Sequence, residues 1–442
     1  MLLPAMWNGF PLLQYDTGGY LARWFEGTLV PSRSTTYGFF LAGAAPLDFW
    51  PAVLLQAAFA VWVIGVLLRT HRFSVHPFGL PAIVAVLGAA TALPWLASVL
   101  LTDIFAGLAV LAFHALVSQV YRISPLERAA LVVFIAFAVS THSATYAVIL
   151  ALVILACAVS LLTAKLIPRA GLAHGALALA LGAAMLLAGN YMVAKRIAWT
   201  PGGYAIAFGR MLQDGIVTRY LNDHCPDPQL RLCPYRNALP RDADTFFWGD
   251  SVFDRLGRFA GLGDEMRSIV LGSLRDYPAM QIRTALVASG KQLVAVATGE
   301  GIVPTIWHTY GIIERYTPAA VPAMRAAHQQ HGDLHFKAIN AIHQPVAWAA
   351  MALLLIVIFS GLRSGGFADL GRLAATAALA LLANAAFCGV ISNPHDRYGS
   401  RMVWIAVFTV ALALWRVVTL SRESIVGSTG LRQNAATRLF AT

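Results

Sequence analysis

The chain has 442 residues, of which 58% are hydrophobic and only 12% charged, with a net charge of +11 and a mean hydropathy of +0.66. A soluble domain carries about a quarter charged residues, so this composition excludes one. The basic residues sit in short loops between apolar runs rather than in one patch, which excludes nucleic acid as their partner and points to membrane topology.

Apolar runs near the ~20 residues needed to cross a bilayer must be helical there. In chain order the predicted spans are about 1–14 (partial), 50–68, 78–101, 104–120, 127–140, 145–163, 172–193, 346–362, 373–391 and 402–419. The first stretch lacks the basic start and small-residue cleavage site of a secretory signal. It is too short to span comfortably, and reads better as the end of a helix that begins upstream of Met1 than as a tilted partial helix.

Loop charges orient these spans. One set of loops carries Arg69 and Arg72, Arg122 and Arg128, Lys165 and Arg169, Arg363 and Arg372, and Arg416 and Arg422. The alternate turns, at Asp103 and at 140–143, carry no Lys or Arg. The positive-inside rule places the first set in the cytoplasm. The prediction is an all-α polytopic protein of a bacterial-type inner membrane, with about ten spans and both termini cytoplasmic. Residues 1–193 form an N-terminal membrane domain with a first external loop at 15–49. Residues 194–345 form an external domain, 346–422 the C-terminal spans, and 423–442 a polar cytoplasmic tail with a disordered composition. The external turn 392–401 breaks the charge rule with Arg397 and Arg401, which suggests a functional reason for them.

Within 194–345, the stretch 265–298 alternates apolar residues with Arg267, Arg275, Arg283 and Lys291, as interfacial amphipathic helices do. Cys225 and Cys233 share a Pro-rich loop there, spaced to close a disulfide in an oxidising compartment. Cys157 and Cys388 lie in apolar runs and read as packing. No internal repeat is evident, which weakens an inverted-repeat transporter reading.

Four polar clusters fall outside. Asp16, in Gln14-Tyr15-Asp16-Thr17-Gly18-Gly19-Tyr20, suits a general base, a ligand for a divalent cation (Mg or Mn) bridging phosphates, or a helix N-cap. Asp103 has the same choice between capping and function, and an acid at a bilayer edge is costly unless satisfied. His142 interrupts apolar sequence in Ser140-Thr141-His142-Ser143, as a sugar or phosphate contact, a proton relay or a simple polar turn. Arg397 and Arg401, four apart, share a helical face and offer forked donors for phosphate, or pair with Asp396 and lipid headgroups. Tyr15, Tyr20, Trp24 and Tyr37 are candidates for stacking on sugar rings. His328, His331, His335 and His343 lack a convincing acidic or thiolate partner beyond Asp333, which disfavours a metal site. Asp223-His224 reads as an ordinary loop pair. No nucleotide-binding loop, dinucleotide fingerprint or zinc-protease motif is present.

The pattern of Tyr15-Asp16-Thr17-Gly18-Gly19-Tyr20, Leu101-Thr102-Asp103 and Asp396-Arg397-Tyr398 resembles the GT-C superfamily of integral membrane glycosyltransferases. The resemblance covers mainly residues 1–193 and 346–442. It implies a catalytic acid at Asp16, a second acid at Asp103, and donor contacts from Arg397, Tyr398 and Arg401. It further implies a polyprenyl-phosphate-linked sugar donor and a glycan, lipid or protein acceptor at the external face. A polysaccharide polymerase or ligase centred on Arg and His, and a transporter or flippase, are the alternatives.

Overall fold

The computed structural model describes residues 1–29, 32–73, 78–163 and 167–439, with the backbone alone for 422–439. Lys165 and residues 440–442 of the tail lie outside the described residues. Every regular element among the described residues is helical, and the sole strand-like contact is an isolated parallel bridge between Leu12 and Val99.

Six described helices are long and apolar enough to cross a membrane: Trp50–Thr70, Ser143–Leu162, Arg169–Ala194, Phe336–Arg363, Gly365–Ile391 (its first residues a 3-10 turn) and Asp396–Ser421. Two predicted spans are not continuous. In the first, helix Leu3–Asn8 stops at Gly9, whose left-handed backbone ends it, and Pro11 follows. The chain then runs extended, with Leu12 bonded to Ser98 and Leu100, and Leu13 to Gln329. In the second, helices Gly79–Ala90 and Leu93–Ser98 part at Thr91, whose hydroxyl accepts the Leu93 N–H ahead of Pro94. The predicted span at 104–120 is helix Ile104–Ser118, about 22 Å long at 1.5 Å per residue. It is the central helix, with every residue from Ile104 to Val117 buried.

The two ends of the bundle differ. At one end Arg69 pairs with Glu127, Arg122 donates to the Thr70 carbonyl, and Arg416 donates to the His71 carbonyl and pairs with Asp369. At the other end lie Asp16, Asp103 and Arg397, together with residues 12–13. The last helix carries Arg397 in its first turn and Arg416 about 28 Å further along by helical rise. Its backbone continues to Leu439, so residues 423–439 are helical where composition predicted disorder.

The segment 194–345 divides by core. Phe208, Leu221, Phe246, Phe253, Met266 and Ile269 form a separate hydrophobic cluster, whereas Ile302, Ile306, Tyr310 and Ile313 join the main core with Leu12 and Leu13. The smaller lobe is closed by the Cys225–Cys233 disulfide. Restricting the unfolded chain across this short loop is worth about 2 kcal/mol. Cys225→Ser is therefore expected to lower the lobe's unfolding midpoint, and dithiothreitol to do so in wild type but not in the variant, both read by limited proteolysis.

The last helix seats closely on the lobe's exit. A Cβ at Gly399 would collide with the Ala295 carbonyl oxygen. Gly399→Ala must push the first turn of that helix away, at about 1–3 kcal/mol for an overpacked contact. A thermal midpoint in detergent equal to wild type would contradict this.

Candidate functional site

The first loop is tied down before Asp16 is presented. The Thr17 hydroxyl accepts the Gln14 N–H (3.0 Å) and donates to the Leu100 carbonyl (2.9 Å), while Gln14 Oε1 accepts the Asp16 N–H (2.7 Å). Gly18 lets helix Trp307–Tyr316 approach, since a Cβ there would lie 2.7 Å from Thr309 Cα. Thr309 Oγ1 in turn accepts the Gly18 N–H at 3.2 Å. Asp16 stands at the N-cap of helix Thr17–Glu26, and Asp103 at the N-cap of Ile104–Ser118. Neither carboxylate caps its helix. Both turn to arginines instead.

The result is a chain of alternating charges. Asp16 Oδ1 pairs with Arg33 and Oδ2 with Arg397 Nη1 (2.6 Å). Asp103 Oδ2 pairs with Arg397 Nε (3.0 Å) and Oδ1 with Arg401 Nη1 (3.3 Å). Arg401 also donates to Asn384 Oδ1 (2.8 Å), and Asn384 donates to the Tyr398 carbonyl (2.7 Å). Both arginines lie over the Tyr398 ring, at 5.3 Å and 5.2 Å. Exposure divides the array into floor and face. Arg401 and Asp103 are 0% and 1% exposed, whereas Arg33, Asp16 and Arg397 retain 20%, 14% and 12%.

Three arginines against two aspartates leave an excess of positive charge at the exposed face, which suits an anion with several oxygens. Burial pulls the Asp16 carboxyl upward, but Arg33 and Arg397 more than reverse this and hold it at about 2. All four carboxylate oxygens already face a guanidinium, so the pair does not fit a divalent cation, which needs free oxygen ligands. No group of three or more His, Cys, Asp or Glu among the described residues is placed to hold a metal ion.

The other sequence candidates separate. His142 feels the array's charge without bonding to it: burial, then the charges of Arg401, Arg397 and Arg33, push its imidazole well below the ordinary histidine value. Its Nδ1 accepts the Ala144 N–H and caps helix Ser143–Leu162. Tyr15 is about half exposed. Tyr20 and Tyr37 are fully buried, Tyr20 beneath Arg33 and Tyr37 bonded to Gln56, so neither offers a face to a sugar. Arg401 is a support for Asp103, without the surface needed to meet phosphate. His328 pairs with Asp333 and stacks on Trp7, while His343 meets Thr298, so the histidine group does not converge. Asp223 is held by Arg219 and Tyr277.

Sequence reasoning missed Arg33, which carries the outer half of the Asp16 pair. The signal was present: Arg33 also breaks the charge rule, in the loop predicted to be the first external one. It also missed Glu300, whose Oε1 accepts from His395 Nδ1 (2.7 Å) and Oε2 from the Arg397 N–H (2.7 Å). No protein-family model, curated protein or solved structure matches the chain.

Proposed function

We propose that this chain is an integral membrane glycosyltransferase of the GT-C type, taking its sugar from a polyprenyl-phosphate-linked donor. The observation that carries the reading is the Arg33–Asp16–Arg397–Asp103–Arg401 array at one end of an apolar bundle. Arg33 and Arg397 bind the donor phosphate and stabilise the charge that grows on it as the sugar leaves. Asp16 and Asp103 hold those arginines apart and oriented, Arg401 fixes Asp103 from below, and Tyr15 and Tyr398 flank the donor.

In this reading the array, the disulfide lobe and residues 1–14 face outward, and the Arg69–Arg122–Arg416 end faces the cytoplasm. A lipid-linked donor suits a site on the face where nucleotide sugars are absent. A transporter needs a polar way through the bundle. Between the two charged ends, Phe105, Leu108, Leu111, Ile405, Phe408 and Leu412 are instead fully buried together, which favours a one-sided site.

The test is release of undecaprenyl phosphate by the purified protein in nanodiscs. The donors are undecaprenyl-phosphate-linked glucose, galactose, mannose and arabinose, with membrane lipid extract and oligosaccharides as acceptors. Turnover of at least one donor is the expected result. Absence of turnover with every one of these donors would defeat the reading.

A further inference from the structure

We propose that His395, oriented by Glu300, is the group that takes the proton from the acceptor hydroxyl, with Asp16 acting as a positioning residue. The inference rests on the glycosyl-transfer reading above and assigns its proton transfer.

The geometry begins with the loop between helices Pro278–Val294 and Trp307–Tyr316. Gly299 and Gly301 both have positive φ, and Glu300 between them is held toward the start of the last helix. The loop is pinned on both sides: the Ala297 N–H donates to Asp396 Oδ1 (2.9 Å) and the Thr298 N–H to Asn340 Oδ1 (2.7 Å). His395 is held as firmly, since Gln292 accepts its backbone N–H (2.9 Å) and donates to its carbonyl (2.8 Å). The Glu300 carboxylate then bridges the imidazole Nδ1 and the Arg397 backbone N–H. Nδ1–H donating to a carboxylate leaves Nε2 with its lone pair free, the tautomer a general base requires. His395 is partly exposed, and its partner Glu300 and chain neighbour Asp396 line a cavity of about 410 Å³, together with Gly301, Gln329, Leu334 and Phe336. In this assignment that cavity holds the acceptor, next to the Glu300 carboxylate that orients His395.

Two candidates, Asp16 and His395, compete for the proton, and their surroundings decide between them. Both Asp16 oxygens are engaged by guanidinium groups and the carboxyl sits at about 2, so it is a weak base. The groups around His395 are Glu300 from the loop, Asp244 from helix Ala243–Trp248, and Arg397 and Tyr398 from the last helix, with the neutral Gln292 behind. Burial pulls the imidazole down, but the Glu300 hydrogen bond and charge, with Asp244, outweigh this and the opposing Arg397 to raise it above the ordinary histidine value. His142, the other histidine near the array, is pushed the opposite way.

In the step, the acceptor oxygen bonds to the anomeric carbon. The bond from that carbon to the phosphate oxygen breaks, and its electron pair stays on the phosphate between Arg33 and Arg397. The hydroxyl proton passes to His395 Nε2, and the resulting imidazolium is balanced by Glu300 until it yields the proton to water.

The experiment is the pH dependence of undecaprenyl phosphate release, using whichever donor of the four wild type turns over, for wild type, His395→Gln and Glu300→Gln. Because neutral imidazole is the active form, the wild-type rate should rise with pH through a value above 6.5. His395→Gln should lose about 100-fold or more in kcat with little change in donor KM, and should lose that limb. Glu300→Gln should move the limb to lower pH, and histidine-selective NMR of folded protein should show His395 titrating lower in that variant. A wild type that turns over while His395→Gln keeps kcat and the limb overturns this assignment alone. A wild type with no turnover overturns the glycosyl-transfer reading and this assignment with it.

Discussion

Asp16→Asn is expected to reduce undecaprenyl phosphate release by about 100-fold or more, with expression and thermal midpoint near those of wild type. An amide keeps the shape of the side chain but removes the charge that holds two guanidinium groups on opposite oxygens. Arg33 and Arg397 are then free to repel each other and to turn toward solvent, since both retain some exposure. Loss of preorganised donors at a charge-developing site costs on the order of 100- to 1,000-fold in kcat. The pH profile separates positioning from proton transfer. With its carboxyl at about 2, Asp16 is ionised across the whole neutral range, so its own titration gives no limb near neutrality. The residual activity of Asp16→Asn should therefore keep the wild-type limb, whereas His395→Gln should lose it. Near-wild-type turnover by Asp16→Asn would contradict its place in the site. Disappearance of the limb in that variant would instead return the proton to Asp16.

Arg401→Ala is expected to destabilise the protein by on the order of 3–5 kcal/mol, because it strips a partner from a buried carboxylate. Asp103 is 1% exposed and Arg401 fully buried, so water cannot replace the lost guanidinium. Asn384 Oδ1 loses both guanidinium donors in the same stroke, keeping only the Cys388 thiol, and with them the hold on the Tyr398 carbonyl weakens. Arg401→Lys should recover only part of the stability, since an ammonium keeps the charge without the fork that reaches Asp103, Asn384 and Cys388 together. Denaturant unfolding in mixed micelles measures both variants. An Arg401→Ala midpoint equal to wild type would show that the Asp103 charge is satisfied by Arg397 alone.

The membrane character of the chain was legible because it rests on local composition. Any run as apolar as 50–68 or 145–163 must become a helix wherever water is absent, whatever surrounds it. The breaks at Gly9 and at Thr91 were less legible, although Gly9, Pro11 and Pro94 stood in plain view. Apolar runs outweigh single breakers in any window long enough to define a span, and the breaks are satisfied only by distant partners such as Ser98, Leu100 and Gln329.

For the site, the sequence alone gathered Asp16, Asp103, His142 and Arg397 by a charge argument, and it missed Arg33 and Glu300. Asp16, Asp103, His142 and Arg397 share an end because alternating loops alternate sides, and charges that break the loop rule stand out. The roles needed distances. Whether Asp16 caps a helix or faces arginines depends on Arg33 and Arg397, 17 and 381 residues away along the chain. Whether Arg401 meets ligand or supports Asp103 depends on burial, which the helical spacing of the two arginines does not encode. The proton acceptor assigned here depends on Glu300 meeting His395 across 95 residues, from a loop with no pattern to mark it. Helix and membrane follow from short-range chemistry repeated along the chain; the charge pairing of the site is a long-range choice among several partners, and only the packed bundle makes it.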